Sequence, residues 1–177
     1  MEDTRKEKEN KDKKEERKDG EKTKQTLKEE YSKLQTKYSL PSFELLDKDF
    51  EINDIEIEDN IIREILKSIH GHTESYTRLL EGLIQPDSKL GDMKEASNLT
   101  QEDQALITDL YRKGMLLNRS ILLVDLDYNE KLAADMIINA HKEWQNMKCD
   151  MKTILEKMRS TWESKSPKEK YGGGYFG

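Results

Sequence analysis

The sequence predicts an all-α fold, an antiparallel three-helix bundle that becomes four-helix if a short helix over 27–39 joins it. Three observations carry this. Long stretches repeat their apolar residues at alternating steps of three and four, the spacing that keeps side chains on one helical face. Proline is absent from 87–166, so nothing interrupts the longest of those stretches. A single Val and 3 Phe leave little of the β-branched and aromatic content that pleated sheets favour.

Residues 1–26 contain no Leu, Ile, Val or Phe, so they form a charged tail, disordered or a solvated helix, that has nothing to bury. The remainder, 27–165, holds every aliphatic residue and is expected to be a single domain. Leu27, Tyr31, Leu34 and Tyr38 form one narrow stripe ending at Pro41. Residues 41–60 are rich in Asp and Glu without a steady apolar period, which predicts a turn and an extended piece wrapped over the core. Ile62, Ile65, Ile69, His72, Tyr76, Leu79 and Leu83 give a heptad-like seam over about 59–84, closed by Pro86. Thr100 and Asp103 have capping-box spacing before a helix over 101–125. Its stripe of Leu106, Leu110, Leu117, Ile121 and Val124 is widened by Ile107, Leu116, Leu122 and Leu123, as in a helix touched on more than one side. Asp127 and Glu130 have the same cap spacing before 129–163, where Ala133, Ile137, Ala140, Trp144, Met147, Met151, Ile154 and Met158 repeat most regularly. The rival arrangement is one unbroken helix over 101–163, which would force dimerisation. Residues 166–177 form a flexible arm of glycine and aromatic residues.

Charge narrows the function. Charged residues make up 38% of the chain and the net charge is −6, against roughly 25% charged in ordinary soluble domains. The acid is concentrated: residues 41–110 hold 17 acidic and 6 basic side chains. Nucleic-acid binders instead cluster Lys and Arg to displace phosphate counterions. That reading survives as an alternative, a nucleic-acid or ribosome-associated factor using Lys6 to Lys28 and a slightly basic third helix. The lone Cys149 has no cysteine partner, the first residues have no apolar leader, and no apolar run approaches a membrane span. These features predict a cytoplasmic protein with no membrane association.

No constellation predicts catalysis, a cofactor or a metal. His72 and His141 would need a third ligand, and the residue three before His141 is Ile138, so the Glu-x-x-His pattern of di-iron bundles is missing. Asp47, Asp49, Glu51, Asn53, Ile55 and Glu58 follow the ligand spacing of a calcium loop, yet the required glycine is replaced by Ile52. Gly172, Gly174 and Gly177 match a dinucleotide fingerprint without its strand and helix. Met115, Met136, Met147, Met151 and Met158 suit an adaptable groove, but at helical spacing they are expected in the core. Cys149 has no base beside it.

What remains is contact. Asp47, Asp49 and Glu51 could meet a basic partner. Tyr171, Tyr175 and Phe176 could anchor in a partner's groove, the alternative being that they fold back on the bundle. The expected function is therefore a non-enzymatic helical protein–protein interaction module, an adaptor or assembly subunit with a protein partner, and homo-oligomerisation is left open.

Pro41-Ser-Phe-Glu-Leu-Leu-Asp-Lys-Asp-Phe-Glu-Ile52, Leu126-Asp-Tyr-Asn-Glu-Lys131, Glu143-Trp144 and the Tyr-Phe-Gly ending resemble small, all-helical, functionally uncharacterised archaeal proteins. The resemblance spans roughly 35–165. It implies a small archaeal cytosolic protein and assigns no functional residue.

Overall fold

The computed structural model describes residues 26–55, 60–86 and 89–163. The expected tails over 1–26 and 166–177 lie outside these residues, except for Thr26, which opens the first helix. Among the described residues the regular structure is helical throughout, with no strand: α1 (26–38), α2 (Phe43–Phe50), a 3₁₀ turn (Ile52–Asp54), α3 (Ile61–Ile84), α4 (Leu90–Ala96), α5 (Gln101–Leu126) and α6 (Glu130–Glu163). The fold is all-α. It divides into two compact units, one from the residues up to His72 with Arg119–Lys142, the other from Thr73–Asn118 with the residues from Glu143 onward.

In the first unit, α1 buries Leu27 and Tyr31. The Tyr31 hydroxyl donates to the Pro41 carbonyl at 2.6 Å, and burial, followed by the nearby Glu44 charge, raises its pKa. Ser39 turns left-handed at φ 57°, and the Leu40 N–H closes the helix on the Gln35 carbonyl at 3.3 Å. The chain then enters α2, where the acidic composition predicts an extended piece. Ser42 accepts from the Leu45 N–H as N-cap, and Phe43, Leu46 and Phe50, spaced three and four apart, are buried. Three apolar residues on one face stabilise this helix, although acids on the other face dominate its composition. Glu51, left-handed at φ 55°, ends α2, and Ser68 donates to the Phe50 carbonyl at 2.6 Å. Ile62, Ile65, Leu66, Ile69, Ile121 and Ile137 supply aliphatic bulk, and Ala133, Ala134 and Ala140 are fully enclosed.

α5 and α6 are separate helices, not one unbroken rod. The break is held by Asn129, whose Oδ1 accepts from the Lys131 and Leu132 N–H groups at 3.0 and 3.1 Å. The N-cap is therefore Asn129, two residues beyond the expected Asp127, because Asn places its acceptor over the donors left unpaired at the start of α6. Asn129→Ala is expected to lower unfolding free energy by about 1 kcal/mol, measured by urea denaturation. Asp127→Ala should leave it unchanged.

In the second unit α3 and α5 run antiparallel, with Thr73 bonded to Asn118 and Tyr111 reaching Glu81. The buried face of α3 here is Thr73, Thr77, Leu80 and Leu83. Tyr76 and Leu79, expected on the seam, are half-buried, as is His72 at the end of the first unit. The face turns because the two hydroxyls find partners. Thr73 Oγ1 donates to Asn118 Oδ1 at 2.5 Å, Thr77 Oγ1 donates to the Thr73 carbonyl at 2.8 Å and accepts from Asn118 Nδ2 at 3.3 Å. A hydroxyl that is hydrogen-bonded can be buried cheaply.

The same unit carries a charged clamp. Thr100 and Asp103 cap α5 reciprocally, at 3.0 Å from the Thr100 N–H and 3.2 Å from the Asp103 N–H, and Lys157 of α6 bonds the Asp103 carboxylate. Lys157, then the Thr100 donors, lower the Asp103 pKa to about 2. A depressed carboxylate contributes stability that is present above its unfolded value near 4 and is lost as pH falls through about 2. Acid titration of the melting temperature should therefore show a fall between pH 4 and 2 that is smaller in Asp103→Asn.

Candidate functional site

The acidic residues expected to face a partner are divided by α2. Asp47 is half-buried and spends Oδ1 on the Asn53 N–H at 2.7 Å. Asp49 is buried, 6% exposed, with Oδ2 3.9 Å from His141 Nε2. Glu51 alone of the three is exposed. A helix separates residues two apart onto different faces, so the alternating acids of the sequence do not make one acidic surface. Tyr171, Tyr175 and Phe176 lie outside the described residues, as does Glu58.

His141 stands against Asp49, and His72 packs at right angles to the ring of the adjacent Phe50, 5.7 Å between centroids. Among the described residues no group of three or more His, Cys, Asp or Glu is placed to hold a metal ion. Cys149 is exposed on α6 at a depression of about 480 Å³ shared with Tyr76, Trp144 and Met151.

The charge of the third long helix also differs from expectation. α6 itself holds 6 basic and 6 acidic residues, because the positive excess of 111–177 comes from residues on either side of it. Within α6, Arg159 pairs with Glu163 at 2.8 Å and Lys152 with Glu156 at 3.7 Å. Such exposed i, i+4 pairs solvate a helix face and leave little free positive potential.

In the first unit, Lys37 and Tyr38 of α1 both donate to Glu130 Oε1, the lysine at 2.9 Å. The Tyr38 bond, then that of Lys37, holds the Glu130 carboxyl below its ordinary range. Arg63 of α3 donates to Asp125 of α5 at 2.7 Å and lies 5.4 Å from the Tyr128 ring centroid. That bond lowers the Asp125 pKa. Each carboxylate here is engaged by a partner from another helix, which suits it to fastening helices.

The surface that stands out is apolar. On the last turns of α5, Leu122, Leu123 and Leu126 are 42%, 67% and 78% exposed. Leu126 is three residues from Leu123 and four from Leu122, spacings that make it a neighbour of both on the helix surface. Leu132, early in α6, is also exposed. The width of the α5 apolar face points to Leu122 and Leu123 in the sequence, whereas Leu126 lies just beyond the helix expected over 101–125. Nothing there distinguishes the leucines left in water from Leu110, Leu117 and Ile121, which are buried.

A second apolar feature belongs to the other unit. α4, which no periodic pattern in the sequence predicts, carries exposed Leu90 and Met93 and forms a wall of a cavity of about 510 Å³ with Leu83, Ile84, Pro86 and Ile107. No described helix is long and apolar enough to cross a membrane. No family model, curated protein or solved structure matches the chain.

Proposed function

We propose that the protein is a non-enzymatic, cytoplasmic helical interaction module, its three long helices forming an antiparallel bundle that binds a protein partner. The observation that carries this reading is the patch of Leu122, Leu123 and Leu126. Isolated exposed leucines are ordinary, but three neighbouring ones on one helix keep apolar area in water that a partner would cover. The reading does not depend on the acidic segment as a whole, since Asp49 is enclosed. The balanced charge of α6 gives the nucleic-acid alternative no support.

The test compares wild type with Leu123→Glu plus Leu126→Glu. Both positions are exposed, so the variant should retain its melting temperature while losing a stoichiometric partner recovered from the native host by affinity capture. Light scattering of both proteins separates a foreign partner from a second copy of the chain. Undiminished partner recovery by the variant would remove the patch from the function.

A further inference from the structure

The last described residue, Glu163, leaves α6 beside α4. Its neighbour Trp162 donates its indole N–H to Glu95 at 2.5 Å, and its ring lies 4.2 Å from Lys94 Nζ. A Cβ on Gly91 would come within 3.9 Å of the same ring. Met93 and Ala96 of this helix belong instead to the cavity of about 510 Å³, completed by Leu83, Ile84, Pro86 and Ile107. Met93 and Ile84 are partly open to solvent, so the cavity can be entered.

We propose that this cavity is the docking site of the chain's own residues 171–176, with Tyr171, Tyr175 and Phe176 as its anchors. Reach permits it. The eight residues from Glu163 to Tyr171 span up to about 26 Å when extended, whereas a helix such as α4 is only about 10–12 Å across. Chemistry favours it. Over 164–177 the three aromatic residues are the only large apolar side chains, and the glycines between Tyr171 and Tyr175 can take the backbone turns needed to bring both rings to one cavity. Met93 offers a polarizable thioether, which favours aromatic neighbours. Charge agrees. The segment 164–177 has 3 Lys and 1 Glu, and the stretch 81–110, from which all the residues that line the cavity come, has 7 acids and 2 lysines in its sequence. The arm's anchors are thus engaged within the chain, and the leucine patch carries partner binding independently.

The test places p-benzoylphenylalanine at position 175 of the full chain, irradiates it and maps cross-links in the separated monomer. Cross-links to 83–108 are expected, falling about fivefold in Met93→Lys and in Ile84→Glu, as for loss of about 1 kcal/mol of docking. Both substitutions fall at partly exposed positions, and circular dichroism checks that the helices persist. In parallel, Tyr175→Ser plus Phe176→Ser should accelerate amide hydrogen exchange over 90–97. Cross-links confined to a dimer would assign the cavity to a second copy and overturn the proposal. So would an absence of cross-links, cross-links elsewhere on the monomer, yields insensitive to the cavity variants, or unchanged exchange.

Discussion

Trp144→Ala is expected to lower the unfolding free energy by about 3–5 kcal/mol, a large share of the roughly 5–15 kcal/mol that holds a typical domain. Trp144 is 4% exposed on α6, and its ring lies 5.1 Å from that of Tyr76 at an angle of 54°. Ala140, Met147 and Met151 are buried along the same face. Alanine removes both the ring's burial and its aromatic contact, and leaves a cavity that the neighbouring helix faces fill only in part. The methionines can repack into some of the space, which places the expectation toward the lower end of the range. Trp162→Ala makes the same chemical change at a residue 53% exposed and should cost less than about 1 kcal/mol, since its ring loses little buried area. Urea denaturation followed by far-UV circular dichroism checks the pair. Equal losses for the two variants would contradict the packing assigned to Trp144.

The contrast between the tryptophans is legible in the amino-acid sequence, because Trp144 falls on the three-and-four repeat of α6 and Trp162 falls off it. The long helices are legible for the same reason. α2 is obscured because composition averages over faces: six acids in 41–57 hide the spacing of Phe43, Leu46 and Phe50. α4 is obscured differently. It buries no residue, so it leaves no periodic signal, and its contacts with Trp162 come from far along the chain. Thr73, Thr77 and Asn118 have the composition of surface residues, and only their mutual hydrogen bonds make them interior ones. The burial of Asp49 is hidden in the same way, since a run of alternating acids looks solvated whichever of them the helix turns inward. In the functional surface, the breadth of the α5 apolar face is visible, but the choice of exposed leucines depends on the packing of other helices.

Gly114→Ala should destabilise the protein by about 2 kcal/mol, although the same exchange in an open helix position normally stabilises by about 1 kcal/mol. Gly114 is buried in α5 opposite Thr77, and a Cβ built there would lie 2.6 Å from Thr77 Oγ1 but 3.6 and 3.7 Å from its Cβ and Cγ2. The oxygen alone stands in the way. To admit the methyl group, Thr77 must rotate its hydroxyl away from the Thr73 carbonyl and from Asn118 Nδ2, or the helices must separate. The first course leaves buried polar groups unpaired, and the second loosens the packing, each costing about 1–3 kcal/mol. Removing the obstructing oxygen should relieve part of this, so Gly114→Ala combined with Thr77→Ala is expected to cost about 1–2 kcal/mol less than the sum of the single changes. Gly71→Ala supplies the control of opposite sign: its Cβ would meet nothing within 4 Å, and the helix-propensity gain of about 1 kcal/mol should appear undiminished. Chemical denaturation of the four variants measures all three quantities. If Gly114→Ala instead gained stability as Gly71→Ala should, Thr77, Asn118 and Gly114 could not form the close polar layer that fixes the register of α3 against α5 in this unit.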